Sequence, residues 1–187
     1  VVGADDLSIT LKTGATGDAV VLSMAMSPAA GVQRVDFDDG TSWAGEDVRA
    51  LLRRATTGND VMFGSLFGPD RLDGLGGVDT IYGNGGNDTY VLGAGYGGQV
   101  TIFNGYMYGG ADGKLELDVS ADRLWFQRSG QDLKVSIMGT DASAVLRDWY
   151  KDDFRKLAEV QSGGTGSATQ TLDANLDILV QAMASFE

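Results

Sequence analysis

Four aspartates at the centre of the chain each follow a glycine turn: Gly58-Asn59-Asp60, Gly68-Pro69-Asp70, Gly77-Val78-Asp79 and Gly86-Asn87-Asp88. They are spaced by ten, nine and nine residues, and two positions after each stands a large apolar residue: Met62, Leu72, Ile81 and Tyr90. Glycines fill much of what lies between, at 64, 74, 76, 83 and 85. A tight turn that aims several main-chain carbonyls at one point needs residues that tolerate positive φ, which glycine does without steric cost. One carboxylate per turn adds a hard anionic oxygen. The chemistry this spacing offers is cation binding by oxygen, and calcium takes about six to eight such ligands at flexible geometry.

The elements that must position these turns are short. Each aspartate opens a stretch of about three residues that reads as a strand with its apolar member turned inward. Stacked repeats bury that apolar row as one continuous core, which a single repeat could not do alone. The unit matches the nonapeptide G-G-x-G-x-D-x-U-x, and the chain resembles the RTX (repeats-in-toxin) haemolysin-type family of secreted bacterial proteins. In that family two repeats make one turn of a right-handed parallel β-roll. The resemblance therefore implies that the Asp60 turn stacks on the Asp79 turn along one edge, and the Asp70 turn on the Asp88 turn along the other. It also implies calcium ligands from each turn: Gly58 and Asp60; Gly68 and Asp70; Gly74, Gly76, Gly77 and Asp79; Gly83, Gly85, Gly86 and Asp88. The third and fourth repeats, residues 74–82 and 83–91, fit closely, with Leu75 and Asn84 in place of the second glycine. The first lacks leading glycines, and the second carries an extra residue in Ser65-Leu66-Phe67 and a stiff Pro69. A fifth turn, Gly95-Tyr96-Gly97-Gly98-Gln99-Val100, has no aspartate and is expected to close the roll without metal.

Composition narrows the function classes. The 187 residues include 26 acidic and 14 basic ones, a net charge of −12, which argues against nucleic acid and anionic membrane surfaces. Such a chain repels itself unless divalent cations neutralise it, so metal and compaction should be coupled. There is no cysteine and no histidine, which removes disulfides, thiolate sites, the commonest general base and the usual zinc ligand. No apolar run is long enough to span a bilayer. The chain opens on Val1 without a signal-peptide pattern and reads as a fragment of something longer.

Beside the repeats the chain echoes itself. Ala4-Asp5-Asp6-Leu7-Ser8-Ile9 resembles Ala121-Asp122-Arg123-Leu124-Trp125-Phe126, and Gly17-Asp18-Ala19-Val20-Val21-Leu22 resembles Asp141-Ala142-Ser143-Ala144-Val145-Leu146. Val32 to Phe37 pairs likewise with Leu157 to Ser162. These segments alternate apolar and polar residues, as half-buried strands do. They resemble the β-rich units that flank RTX repeats, and Asp38-Asp39-Gly40-Thr41-Ser42-Trp43 fits the closing segment of that unit. The fold expected is mainly β: a short right-handed parallel β-roll with flanking β-rich capping units and one or two short helices. Residues 1–54 are the end of one flanking unit with a capping helix at Glu46–Arg54, acidic early and basic late as the helix dipole favours. Residues 55–104 form the roll and 105–162 a second flanking unit. Residues 163–187 are a linker and an amphipathic helix with Leu172, Leu176, Leu179, Val180 and Met183 at helical spacing. This tail resembles the uncleaved C-terminal address of proteins exported by type I secretion; the alternative is an ordinary packed helix.

Other motifs carry less. Gly93-Ala94-Gly95-Tyr96-Gly97-Gly98 satisfies GxGxxG, but a strand follows where a dinucleotide site needs a helix. Asp36-Phe37-Asp38-Asp39-Gly40 lacks the EF-hand spacing and reads as a turn. Asn87-Asp88-Thr89 is a formal glycosylation sequon inside a repeat. Trp125, Trp149, Tyr106 and Tyr108 offer a stacking platform for sugar or, in the plainer reading, core. The reading that results is a non-enzymatic calcium-binding module of a secreted or cell-surface bacterial protein. It folds on extracellular calcium and serves the folding and export of a larger parent, with calcium ions and the type I secretion apparatus as partners. The alternative is an adhesion or glycan-binding module, or the non-catalytic C-terminal part of a secreted toxin or polysaccharide-acting enzyme.

Overall fold

The computed structural model describes residues 8–13, 18–23, 33–50, 53–65, 68–95, 97–105, 113–151, 153–163, 170–171 and 176–185. It divides into two compact units, Val1–Arg54 and Ala55–Glu187. Among the described residues the first contains two antiparallel strand pairs. Strands β1 (Ser8–Thr13) and β2 (Asp18–Ser23) pair Ile9 with Leu22 and Leu11 with Val20. Strands β3 (Arg34–Asp36) and β4 (Ser42–Ala44) pair Val35 with Trp43, and Phe37 meets the Trp43 ring edge-on at 4.9 Å. The acidic segment between them is a turn. Asp39 Oδ1 accepts from the Thr41 amide at 2.8 Å and its hydroxyl at 2.6 Å, and Gly40 takes φ +84°. Helix α1 (Gly45–Ala50) begins where Asp47 accepts the Ala44 amide proton at 2.7 Å.

The second unit is a coil of parallel strands. Odd strands β5 (Val61–Phe63), β7 (Gly77–Tyr82) and β9 (Gly98–Phe103) stack in one sheet. Even strands β6 (Arg71–Asp73), β8 (Thr89–Leu92) and β10 (Lys114–Leu117) stack in another. The register aligns Met62 with Ile81 and Ile102, and Leu72 with Tyr90 and Leu115; all are buried between the sheets. Each such side chain contributes about 1.5–3 kcal/mol when withdrawn from water. On the opposite face of the odd sheet Phe63, Tyr82 and Phe103 form a ladder of stacked rings, with centroids 5.1 and 4.7 Å apart.

The coil does not close at the fifth turn. β9 pairs in parallel with β13 (Ser143–Leu146), and β10 with β14 (Glu159–Ser162), so both sheets run on into the following segment. The hairpin of β11 (Leu124–Ser129) and β12 (Asp132–Ile137) completes a six-stranded sheet in the order β11-β12-β13-β9-β7-β5. β15 (Gln170–Thr171) adds an antiparallel edge to the five-stranded sheet β15-β14-β10-β8-β6. Trp149 is buried in the core and Trp125 is half-buried on β11. Tyr106 and Tyr108, the rest of the aromatic platform, lie outside the described residues, as do Leu172 and most of the linker. Helix α2 (Leu176–Ala184) buries Leu176 and Val180, lays Leu179 and Met183 on the core, and accepts the Phe126 amide proton at Met183 Sδ, 3.0 Å.

Close stacking of the turns sets a steric rule. A Cβ at Gly77 would lie 2.5 Å from the Gly58 carbonyl oxygen, one at Gly98 1.9 Å from that of Gly77, and one at Gly86 2.3 Å from that of Gly68. Leu75 stands where the repeat calls for glycine and adopts φ +61°, a conformation that crowds its Cβ against the carbonyl oxygen. Leu75→Gly is expected to stabilise the calcium-loaded unit by about 0.5–1 kcal/mol, the strain released less the entropy glycine adds to the unfolded chain. Gly77→Ala, strained and blocked by backbone, should cost about 2 kcal/mol or more. Urea unfolding in saturating calcium measures both, and equal signs for the two would contradict this reading.

Candidate metal centre

The turns stack as two separate columns, each holding two of the aspartates. In the first, Asp79 Oδ1 accepts the main-chain amide proton of Asp60 at 2.9 Å, and the Thr80 amide returns a bond to the Asp60 carbonyl at 2.9 Å. In the second, Asp88 Oδ1 accepts the Asp70 amide proton at 3.0 Å, and the Thr89 amide donates to the Asp70 carbonyl at 2.7 Å. The structure thus brings together the pairs that the resemblance implies. Gly58, Gly74, Gly76 and Gly77 belong to the first column; Gly68, Gly83, Gly85 and Gly86 belong to the second.

The later aspartate of each column is buried: Asp79 is 2% exposed and Asp88 1%. Their second oxygens fold back over the first glycine of their own turn. A Cβ at Gly74 would meet Asp79 Oδ2 at 2.3 Å, and one at Gly83 would meet Asp88 Oδ2 at 2.8 Å. The earlier aspartates differ. Asp60 Oδ2 accepts from the Thr56 amide at 2.7 Å and its hydroxyl at 2.8 Å, and Asp70 Oδ2 accepts from the Ser65 amide at 2.5 Å. Asp88 Oδ2 is buried and makes no well-formed hydrogen bond, with the Tyr90 hydroxyl as its neighbour.

Electrostatics follow from this placement. Burial pushes the Asp88 carboxyl up to about 7, with the neighbouring Asp70 carboxylate adding to the rise and the Asp70 amide and the Tyr90 hydroxyl opposing it. Asp79 is raised as well, by burial first and then by the charges of Asp60 and Asp73, against the Asp60 amide. Buried anions that face one another without a cation are in an unfavourable state, and a divalent ion reverses it. Among the described residues no group of three or more His, Cys, Asp or Glu converges on a point. The remaining donors must be main-chain carbonyls, and glycine carbonyls are plentiful in both columns. A buried carboxylate oxygen without a well-formed hydrogen bond, a glycine cradle and an all-oxygen donor set fit calcium and not a soft metal.

Several residues of the site carry roles beyond the repeat pattern. Asn59 Oδ1 accepts the Val78 amide proton at 2.9 Å, and Asn87 Oδ1 that of Gly113 at 2.9 Å, so the asparagine of Gly-Asn-Asp ties its turn to the next level of its column. Its presence at 59 and 87, against Pro69 and Val78, is the signal that marks it. Asn84 Nδ2 donates to the Gly64 carbonyl at 2.8 Å. Tyr90, expected only as an apolar core residue, donates its hydroxyl proton to buried Asn104 Oδ1 at 2.8 Å. Asn104 lies beyond the repeats, and nothing in their period points to it.

Residues 66–97 match the family model of the RTX calcium-binding nonapeptide repeat (4 copies). The matched stretch spans the turns of Asp70, Asp79 and Asp88 and reaches into the aspartate-free fifth turn; the Asp60 turn lies just before it. Among the described residues no helix is long and apolar enough to cross a membrane. The geometry and the match agree: the chain carries RTX repeats of the haemolysin-type calcium-binding family, and calcium is their ion.

Proposed function

We propose that the chain is a module that folds on extracellular calcium and thereby supports the folding and export of a larger secreted protein. The observation that carries this reading is Asp88, a buried carboxylate stacked on the Asp70 turn with one oxygen that makes no well-formed hydrogen bond. Calcium would be held in two columns: by Asp60 and Asp79 with carbonyls of the Gly58, Gly74, Gly76 and Gly77 turns, and by Asp70 and Asp88 with those of the Gly68, Gly83, Gly85 and Gly86 turns. When bound, the ion supplies the positive charge that the columns lack. The chain's own residues do the rest: glycines let the turns approach, and the aspartate-to-amide bonds fix their register. A metal-free chain at net charge −12 stays loose where calcium is scarce and compacts where it reaches about 10⁻⁴–10⁻³ M. The module is read as non-catalytic, any reaction belonging to other parts of the parent protein. The packing of α2 on β11 means that an export address in this tail would be accessible only before that helix docks.

The direct test is a calcium titration of metal-free protein followed by far-UV circular dichroism, with magnesium in parallel. A calcium-specific gain of β signal is expected, and Asp79→Ala and Asp88→Ala should each raise the calcium midpoint by about tenfold, a lost charged ligand being worth about 1.4 kcal/mol or more. Unchanged midpoints in both variants would sink the ligand assignment.

The raised Asp88 carboxyl gives a pH dependence of definite sign. Its folded value, about 7, lies above its ordinary value of 3.8, so folding without metal favours the protonated form. That contribution is fully present below the ordinary value and is lost as pH rises through about 7. In chelator the fold should therefore lose stability as pH rises from about 4 to about 7, and level off above. Asp88→Asn should flatten that trend; urea titrations at several pH values measure it.

A further inference from the structure

We propose that Arg155 stands in for calcium at the third level of the second column and closes that column to further metal. The inference rests on the Asp70–Asp88 column being a calcium column and assigns its end to a residue outside the repeats. The turn that follows the Asp88 turn in this column begins in the same way. Phe103 pairs with Tyr82, so Asn104 and Gly105 lie in register with Gly83 and Asn84, and Gly105 takes φ +71° where Asn84 takes +63°. At the aspartate position the likeness ends. Lys114 pairs with Thr89, which sets Gly113 in register with Asp88, and a Cβ there would lie 2.9 Å from the Asp88 carbonyl oxygen. The third level thus keeps the opening carbonyls of a metal turn and has no side chain at all where the turn below it carries its carboxylate.

The next connection of the coil supplies a cation instead. Arg155 Nη1 donates to the Asn104 carbonyl at 3.2 Å and to the Gly105 carbonyl at 2.7 Å. Its neighbours complete the seal. The Phe154 carbonyl oxygen lies 2.5 Å from where a Cβ on Gly105 would stand, and the Lys156 carbonyl accepts the Asn104 side-chain amide at 3.0 Å. Arg155 is half-buried, its guanidinium lies over the Phe154 ring at 5.2 Å, and its Nε is buried without a hydrogen-bond partner. Among the described residues no carboxylate pairs with it, although the chain has 26 acidic residues to offer. A guanidinium that faces carbonyls and no acid serves the carbonyls, as a metal ion would, and it can neither lose its charge nor dissociate. The column therefore changes character along its length. Two levels present carboxylates and call for an ion from solution; the third carries its own cation, held at any calcium concentration.

Chemical rescue in the full chain tests it. Arg155→Ala should lower the melting temperature in saturating calcium by about 5 °C or more, two charge-assisted bonds being lost. Guanidinium chloride at millimolar concentration, too dilute to denature, should restore most of that loss by occupying the vacated place, and sodium chloride at equal ionic strength should not. Wild type and Arg155→Met, whose side chain fills the space without charge, should respond to neither salt. An arginine that only packs predicts no difference between the salts in any variant, and that result would overturn the proposal. If Arg155→Ala does not fold in saturating calcium, recovery of its far-UV signal on adding guanidinium is the same readout. Arg155→Glu puts a carboxylate beside the same carbonyls and should bind one calcium ion more than wild type in equilibrium dialysis; an unchanged count would overturn the stand-in role. Asp88→Asn serves as the reference. A raised calcium midpoint there without guanidinium rescue overturns the assignment of Arg155 alone, whereas an unchanged midpoint overturns the calcium column and this inference with it.

Discussion

In each column of turns the later aspartate takes the amide proton of the earlier one, and most of the architecture around the site follows from that bond. To reach the amide, the carboxylate must leave water and sit under the next level, and so Asp79 and Asp88 are buried. To let it sit there, the turn must carry no side chain at its first position, where Gly74 and Gly83 stand. A carboxylate has more acceptor capacity than one amide can fill. The surplus is met by main-chain amides for the first level, through Thr56 and Ser65, and finds no well-formed hydrogen bond at Asp88 Oδ2. Metal affinity is in this sense a by-product of a hydrogen bond used for stacking.

The same arrangement explains why the interior and the edge of the coil obey different rules. Inside, Met62, Leu72, Ile81 and Tyr90 form an apolar core tolerant of aliphatic and aromatic side chains alike. At the edge the backbone is in contact with backbone, and a single methyl group at Gly77, Gly86 or Gly98 has no room. The core supplies nonspecific adhesion between levels; the edge supplies register. An antiparallel sheet can draw its register from a hairpin turn, but parallel strands joined by long connections cannot, and here the side chains of Asp and Asn, with the close approach that Gly permits, perform that task.

Much of this was legible from the residues. The Gly-x-Asp spacing located both columns, and the apolar residue two positions on located the strands and the core. The Asp60–Asp79 and Asp70–Asp88 pairings followed from two repeats per turn, a property of the resemblance rather than of spacing alone. The continuation of both sheets through β13 and β14 was not legible, because Ala142-Ser143-Ala144-Val145 and Glu159-Val160-Gln161-Ser162 carry neither glycine turns nor aspartates in phase. Period marks a level only where that level binds metal; beyond it, hydrophobic alternation suffices to pair a strand, and alternation does not reveal its partner. Asn104 was silent for a related reason: its partners Tyr90 and Lys156 are distant in sequence, and only the coil brings them together. Helix α2 was visible as an amphipathic stripe, but the partner that receives it, β11, was not.

The connection between stacked levels is not constant in length. Asp60 and Asp79 are 19 residues apart and Asp70 and Asp88 18, yet Val100 and Ala144 also occupy adjacent levels, with the whole β11–β12 hairpin spooled out between them. The rise from one level to the next is that of any sheet, about 4.8 Å, whatever the amount of chain paid out on the way. The molecule therefore behaves as a reel whose height counts strands and not residues. Girth and height are set independently: a lengthened excursion thickens one storey and leaves the gauge of the stack unaltered, whereas an added pair of turns raises the tower by one storey and brings one further rung to each column.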